Sequence, residues 1–311
     1  MITVERRRYL MLVKHHINAS LNWIETRKLN EREKNTLLDE YKISDEVLEY
    51  VLDTYEQSNY IHEPEDEQEL VILHMPAKSQ ENNRYTTKPI AFLIKDNNLF
   101  TFNESNLSLM NHDMNKETGQ ERIDTPVSFM LEKIYFLMSS YFPVLREVTR
   151  QRHVLDDMLT KKLTNKELVK LAYLQQSLTF ILNAAESNVE ALTILEKSKF
   201  GKELSDVEKE RLEDALIEAE QIVHMAELEA KIVDKIAKIF DSIMNNNLND
   251  TMKFLTVWSL AIAIPTLITG FFGMNINLPK VDKVYGWIQL TILSVVLVAW
   301  LILGLKRNKK V

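Results

Sequence analysis

Two long apolar runs lie close to the carboxyl end of the chain, and neither contains a charged residue. Phe254 to Phe272 has 19 residues and Val284 to Leu305 has 22. Each run matches the roughly 20 residues with which a helix crosses a hydrocarbon layer of about 30 Å. Core helices of soluble proteins rarely run so long without a charge, and tryptophan, a residue typical of membrane interfaces, lies within both runs. The pattern therefore predicts two membrane-spanning helices.

A region without helix-breaking residues precedes the first run. Neither glycine nor proline occurs between Gly201 and Pro265, which favours one continuous helix. Ser205, followed three residues later by Glu208, has the pattern of a capping box at the start of that helix. Its apolar positions are mostly three or four residues apart: Leu212, Leu216, Ala219, Val223, Ala226, Val233, Ile236, Phe240 and Ile243. The spacing predicts a long stalk helix with one packing face, continuing into the first span.

The first 125 residues mix helical and strand patterns. Ile43 to Tyr55 has helical spacing, with Ser44 as its N-cap. Glu69 to Met75, Pro89 to Ile94 and Leu99 to Phe102 are short apolar runs typical of strands. This region is therefore predicted to form a small sheet with helices packed on it.

From Val127 onward the pattern becomes helical. Val127 to Thr160 is amphipathic and is interrupted only at Pro143, and Asn165 to Glu196 forms a second helical stretch. Lys197 to Lys202 contains a glycine and is predicted to be a turn before the stalk helix.

Composition changes this picture mainly by exclusion. The chain has 311 residues, a net charge of −7 and no cysteine, and its mean hydropathy of −0.19 averages a charged body with two apolar runs. The absence of cysteine excludes thiol catalysis and Cys-ligated zinc. We find no glycine-rich phosphate loop and no catalytic motif, so an enzyme is not expected. The acidic balance argues against a nucleic-acid partner.

The charges that flank the apolar runs predict the topology in the membrane. Four basic residues follow the second run directly: Lys306, Arg307, Lys309 and Lys310. Positive charges favour the cytoplasmic side, so both termini are expected in the cytoplasm and the loop of residues 273–283 outside. The expected location is the cell (inner) membrane, with the lipid bilayer as a partner. Two helices cannot enclose a pore alone, so transport would require an oligomer.

A short motif closes the first apolar run. The chain reads GFFGMN from Gly270 to Asn275, its approach reads NNLNDTMKFLT from Asn246 to Thr256, and Pro265 lies inside the run. With two C-terminal spans after a stalk without breakers, these motifs resemble the CorA family of divalent-cation transport proteins. The motif-level resemblance covers about residues 246–275, and the layout covers the whole chain.

The resemblance implies an α+β cytoplasmic N-terminal domain, a long helical stalk and two C-terminal transmembrane helices, assembled as a funnel-shaped homopentamer. It implies influx of Mg²⁺, and of Co²⁺ or Ni²⁺, down the electrochemical gradient, gated by intracellular Mg²⁺ and without a catalytic cofactor. The expected segments are 1–125 (α/β domain), 126–204 (helical hairpin), 205–253 (stalk), 254–272 (first span), 273–283 (outer loop), 284–305 (second span) and 306–311 (basic cytoplasmic tail).

One line of positions along the first span is a candidate pore lining. Steps of three and four residues from Asn249 select mostly small or hydroxyl-bearing side chains: Asn249, Met252, Thr256, Ser259, Ala263, Thr266 and Gly270. Such a line is typical either of a pore wall or of close helix–helix contact in a membrane. Both interpretations place the line at the centre of an oligomer.

By the resemblance, Asn275 is the selectivity residue of an outer-mouth motif that it forms with Gly273 and Met274. Mg²⁺ gives up its waters reluctantly, so a ring of Asn275 carboxamides could hold the hydrated ion. Gly273 is expected to allow a backbone turn that a side chain would forbid. The resemblance makes Thr266 a polar ring in the pore and Asn249 one near the inner mouth. Met252 and Leu255 become apolar constrictions that could gate by dewetting.

Regulation in the resembling family uses Mg²⁺ bound between cytoplasmic domains. An ungapped count from the Asn249 motif assigns the stalk acid to Asp214, with Glu218 one turn later on the same helix face. Glu81 is the candidate acid of the neighbouring subunit, so Mg²⁺ is both substrate and regulatory ligand.

Besides Phe272, where many members of the resembling family have tyrosine, two charged features depart from the family pattern. The outer loop carries Lys280, Asp282 and Lys283, a net positive charge, and Lys238 occupies the place of a common inner-mouth acid, with Asp241 one turn later. Two alternatives remain at this stage: a Zn²⁺ or other transition-metal transporter of the ZntB branch, and a membrane-anchored cytoplasmic sensor. The polar line and the Gly273 motif argue against a mere anchor.

Overall fold

The computed structural model describes residues 12–18, 21–64, 68–79, 84–105, 125–160, 164–274 and 285–307. The chain divides into two compact units, Met1–Ile236 and Ala237–Val311, here called unit 1 and unit 2. Two of the predicted site residues, Glu81 and Asn275, lie outside the described residues.

Unit 1 contains a six-stranded sheet in the order β1-β2-β6-β5-β4-β3. Its strands are β1 (Leu12–Asn18), β2 (Leu21–Thr26), β3 (Asn59–Glu63), β4 (Gln68–Lys78), β5 (Tyr85–Lys95) and β6 (Asn98–Phe102). Neighbouring strands are antiparallel, except that β2 and β6 are parallel. The three predicted strands are therefore confirmed as parts of β4, β5 and β6, and the mixed α/β character of this region is confirmed with them.

The sequence patterns missed three strands, β1, β2 and β3, and one helix, α1. β1 reads LVKHHIN and β3 reads NYIHE, and each pairs with a single neighbour at an edge of the sheet. Their polar residues give no apolar run, because an edge strand needs less burial than a central one. The missed helix α1 (Glu31–Asp39) begins with a capping box between Asn30 and Glu33, which the sequence does carry as a start signal.

Helices cover both faces of the sheet. On one face, α1 and the predicted helix α2 (Asp45–Leu52), capped by Ser44, bury Leu37, Val47 and Leu48 against Leu70 and other apolar strand residues. On the other face lie α3 (Pro126–Ser139), which contacts β2, β5 and β6, and α5 (Asn165–Lys197), which contacts β3, β4 and β5. The core of unit 1 is thus built on both sides of β4 and β5.

Two local predictions about helix breaks are wrong in their placement. The stretch after Val127 breaks at Ser140, and α4 (Tyr141–Asp157) contains Pro143 in its first turn, where proline is tolerated. The predicted turn around Gly201 is instead a short helix, α6 (Lys199–Glu203). A Cβ at residue 201 would lie 2.2 Å from the Leu195 carbonyl oxygen, so this glycine serves a close backbone approach.

The long helix α7 runs from Asp206 to Phe272, and its predicted capping box is confirmed. The Ser205 amide donates to Glu208 Oε2 at 3.1 Å, and the Glu208 amide donates to Ser205 Oγ at 3.3 Å. Glu208 also accepts hydrogen bonds from the hydroxyls of Thr125 and Ser128. Burial alone would raise the pKa of Glu208, but these hydrogen bonds outweigh it and lower the pKa.

Unit 2 contains the second part of α7 and helix α8 (Gly286–Arg307). Both helices are long and apolar enough to cross a membrane, with mean hydropathies of 1.8 and 2.2 over their most apolar windows. None of the α7 window is buried in the single chain, and Phe254, Leu267 and Trp300 are all more than half exposed. Such a large exposed apolar surface is typical of contact with lipid or with other chains. The two apolar C-terminal helices predicted from the sequence are confirmed.

Candidate functional site

Each helix of unit 2 has one line of positions that are less exposed to solvent than the rest of the helix. On α7, within the span, these are Val257, Ala261, Ile264, Pro265, Ile268 and Phe272. On α8 they are Gly286, Leu290, Ser294, Val298 and Leu301. Because α8 is the other described helix of this unit, we infer that α7 and α8 face each other along these two lines. Small residues on both lines allow the close approach that is typical of helices in membranes.

The candidate pore line lies on the opposite face of α7. All seven of its members, from Asn249 to Gly270, are exposed in the single chain. A helix turns by roughly 100° per residue, which places the centre of this line roughly 160° around the axis from the face toward α8. We call this exposed line of seven residues the polar face. Its members share a face that no other part of unit 2 covers among the described residues.

The hydroxyl groups on the polar face are oriented by the helix backbone. Thr256 Oγ1 donates to the Met252 carbonyl and Thr266 Oγ1 donates to the Ile262 carbonyl, both at 2.8 Å. A hydroxyl has one proton to donate and two lone pairs with which to accept. Since each proton is used inside the helix, the lone pairs remain for a group outside it. The polar face therefore presents oxygen acceptors, which suit a hydrated cation.

A shallow groove runs along the C-terminal half of the polar face. It is lined by Ser259, Ala263, Thr266 and Gly270, with Leu260, Leu267 and Met274 among the apolar residues at its edges. A Cβ added at Gly270 would meet nothing within 4 Å. The fold of the single chain thus does not require glycine at this position. The space beside Gly270 is open to a group that does not belong to this chain.

Gly273 lies in the turn that follows α7. Its φ is not positive, so the constraint on a side chain at this position comes from the nearby backbone. The Gly273 amide donates to the Thr269 carbonyl at 2.9 Å, and a Cβ at residue 273 would also lie 2.9 Å from that oxygen. A side chain would push this carbonyl aside where α7 ends. Met274 follows and is 52% exposed, whereas Asn275 lies outside the described residues.

The two predicted gate residues are exposed apolar side chains near the N-terminal end of the apolar stretch of α7. Met252 is 55% and Leu255 is 59% exposed. Met252 is a member of the polar face, and Leu255 lies roughly 70° to one side of it on a regular helix. Both lie on the half of α7 that α8 leaves uncovered.

The predicted regulatory acids lie on the part of α7 that belongs to unit 1. Asp214 is exposed and Glu218 is half-buried, while Leu212, Ala215 and Ala219 between and beside them are buried. Asp214 therefore points away from the packed face of the helix, whereas Glu218 lies at the edge of that face. Among the described residues, no three His, Cys, Asp or Glu side chains are grouped closely enough to hold a metal ion. Glu81, the third acid, lies outside the described residues.

The sequence did not reveal which polar side chains attach α7 to the rest of unit 1. Arg152 Nε donates to Glu229 Oε2 at 2.7 Å, and the Thr149 hydroxyl donates to Glu229 Oε1 at 2.9 Å. Both side chains of the ion pair are only 11% exposed. Residues 77 positions apart give no local signal, so only the fold could identify this pair. It joins α4 to α7 within unit 1.

Known proteins resemble this chain over most of its length. A family model described as CorA-like Mg²⁺ transporter protein matches residues 18–307. The Cobalt/magnesium transport protein CorA of Methanocaldococcus jannaschii is 25% identical over 240 residues, which are 75% of this chain and 74% of that protein.

Two solved structures share the fold. The complete structure of the CorA magnesium transporter from Methanocaldococcus jannaschii aligns with a TM-score of 0.79 at 22% identity, covering 94% of this chain and 92% of that one. The ZntB cytoplasmic domain from Vibrio parahaemolyticus aligns with a TM-score of 0.58 at 13% identity, covering 76% and 98%. Both likenesses are under 25% identical, so they show the fold alone and do not identify the ion.

Proposed function

This chain belongs to the family of CorA-like Mg²⁺ transporters, and from that premise we propose that it forms a homopentameric channel through which Mg²⁺ enters the cell. Co²⁺ and Ni²⁺ are the other expected cargoes. Both termini lie in the cytoplasm, and the segments are those expected from the sequence. An inside-negative potential favours entry of a divalent cation by about 4.6 kcal/mol per 100 mV, so influx needs no coupled hydrolysis.

The polar face of α7 is the observation that carries this proposal. Its seven members are exposed and face away from α8, and its hydroxyls present lone pairs outward. Symmetric assembly around this face would surround a central path with small and oxygen-bearing side chains, while α8 would lie toward the lipid. A membrane-anchored sensor needs no such face.

In the proposed pathway, Asn275 of each subunit contributes a carboxamide to a ring at the outer mouth. This neutral ring holds Mg²⁺ through its retained waters, because the ion dehydrates reluctantly. The hydroxyls of Thr266 and Thr256 then replace bulk water as acceptors along the span. Met252 and Leu255 form the apolar constriction, which closes by excluding water. Asn249 forms the last polar ring before the cytoplasm.

Intracellular Mg²⁺ regulates the proposed channel through Asp214 and Glu218. Asp214 is exposed and Glu218 is half-buried on α7 of unit 1, and the proposal takes a further ligand from a neighbouring subunit. Glu81 is that candidate ligand. Mg²⁺ bound there links adjacent subunits and favours the closed state.

Reconstitution in proteoliposomes tests the transport proposal. We expect Mg²⁺ uptake by the wild type, and loss of most uptake in Asn275→Ala, because the outer ring is removed. Asn247→Ala is the matched control, since Asn247 lies on α7 but outside the polar face, and it should retain uptake. Absence of Mg²⁺, Co²⁺ and Zn²⁺ uptake by the wild type would reject transport, and uptake of Zn²⁺ alone would favour the ZntB-type alternative. Equal uptake by Asn275→Ala and wild type would reject the role of Asn275.

A further inference from the structure

Four charged residues occur on the part of α7 that belongs to unit 2, and they form two pairs with the same spacing. Lys238 and Asp241 are three residues apart, as are Asp250 and Lys253. All four side chains are exposed. Only one of the two pairs forms an ion pair within the helix, and the order of acid and base along the chain explains why.

Asp250 and Lys253 neutralise each other within the helix. Lys253 Nζ lies 3.4 Å from Asp250 Oδ1. No such ion pair joins Lys238 to Asp241, and neither side chain takes part in a hydrogen bond within the described residues. In a helix, an acid placed before a base pairs better than the reverse order, because side chains lean toward the helix N-terminus. The order Lys238 then Asp241 is the unfavourable one, so both charges remain free to act outside the chain.

The unpaired charges share the direction of the polar face. At roughly 100° per residue, Lys238 and Asp241 lie within about 30° of its centre line. Asp250 and Lys253 lie roughly 150° and 90° away from that line. Lys238 precedes Asn249 by about 16 Å along the helix axis. The polar face thus continues on the inner side of the span into one lysine and one aspartate.

We propose that Lys238 and Asp241 form two rings of opposite charge at the cytoplasmic end of the ion path, and that the Lys238 ring limits the passage of divalent cations. This proposal rests on the proposed function, which places the polar face at the centre of the oligomer. An ion leaving the span meets the Asp241 ring first, which attracts it. The Lys238 ring follows about 4.5 Å further on and repels it, so the two rings together set the conductance.

Removal of the lysine charge should therefore increase transport. In water, a lysine charge about 10 Å from a divalent cation repels it with an energy that lowers the local cation concentration roughly fourfold. Salt reduces this effect. Several screened lysines acting together give an expected increase of roughly three- to tenfold. The increase should be larger at low than at high ionic strength, which a purely structural change would not produce.

Uptake of Mg²⁺ by proteoliposomes containing the full chain tests this proposal at two salt concentrations. We expect faster uptake for Lys238→Gln, slower uptake for Asp241→Asn, and near wild-type uptake for the variant that exchanges the two charges, Lys238→Asp with Asp241→Lys. Lys253→Gln, which removes an equal charge away from the polar face, is the control and should change uptake less than twofold.

Three outcomes would overturn the proposal while leaving the transport function intact. If Lys238→Gln takes up Mg²⁺ at the same rate as the wild type, the lysine does not face the ion path. An equal increase in Lys253→Gln would show that the charge acts through the membrane surface instead. An increase that does not depend on salt would show that it is not electrostatic. Lack of uptake by the wild type would reject the proposed function itself.

Discussion

Helix α7 belongs to both units of the chain, and its two parts have opposite surroundings. In unit 1 one face of the helix is fully packed, with Ala215, Ile222 and Val233 buried, and its polar groups meet defined partners such as Arg152. In unit 2 the same helix is exposed around most of its circumference. The first part is specified by contacts within one chain, whereas the second has few such contacts in the single chain.

This contrast separates two kinds of mutational effect. A substitution in the packed part of α7 should change the free energy of unfolding, since a buried group loses partners that belong to the same chain. A substitution on the polar face removes no intrachain tertiary contact, so its effect should appear in transport and not in the stability of unit 1. The variants below test this separation, beginning with the largest expected effect.

Glu229→Ala should cause the largest loss of stability. It leaves the Arg152 guanidinium buried without its carboxylate, and breaking a buried pair in this way costs roughly 3–5 kcal/mol. Thermal unfolding of the full chain in detergent should then shift down by roughly 6–20 °C. Glu227→Ala is the matched control, because Glu227 pairs with Lys231 at the exposed surface, and such pairs contribute about 1 kcal/mol or less. Similar melting temperatures for the two variants would contradict the packed character of this part of α7.

Local signals account for the parts of the structure that the sequence predicted. The Ser205–Glu208 capping box lies within one turn, and the apolar runs of β4 and β5 carry their own burial pattern, so each could be recognised without the rest of the fold. The polar face is also local, because it depends only on helical spacing from Asn249. Its orientation away from α8 required the structure, since no spacing within α7 specifies where a second helix packs.

Long-range polar pairs and edge strands could not be predicted in this way. Arg152 and Glu229 lie on different helices, and neither has a local feature that identifies its partner. β1 pairs with β2 through a register that depends on the whole sheet, and its His15 and His16 gave no strand signal. For Gly273 the sequence indicated a turn that excludes a side chain, but the group that a side chain would meet, the Thr269 carbonyl, could be identified only from how α7 ends.

Asp214→Lys should have a large effect on regulation and little effect on stability. The side chain is exposed, so a substitution costs unit 1 little, but a positive charge would oppose Mg²⁺ binding where the proposal requires a carboxylate. We expect the internal Mg²⁺ concentration that inhibits uptake to rise by about tenfold or more, equivalent to about 1.4 kcal/mol. Glu213→Lys is the control, because Glu213 is the exposed neighbouring acid and has no part in the proposed site. Unchanged inhibition in Asp214→Lys, measured in proteoliposomes loaded with graded Mg²⁺, would reject this assignment.

The smallest expected effect comes from two threonines that differ only in the direction they face. Thr266 and Thr269 each donate a hydroxyl proton to the carbonyl four residues earlier, at 2.8 and 2.9 Å. Thr266 lies on the polar face, while Thr269 lies roughly 100° away from its centre. Valine keeps the shape of threonine and removes the oxygen. Since a hydrogen bond contributes about 0.5–1.5 kcal/mol, Thr266→Val should slow Mg²⁺ uptake by roughly two- to tenfold. Thr269→Val loses the same backbone contact and should transport like the wild type. A comparable decrease in both variants would mean that the hydroxyls act only on the helix backbone, and the polar face would then lose its role as an ion path.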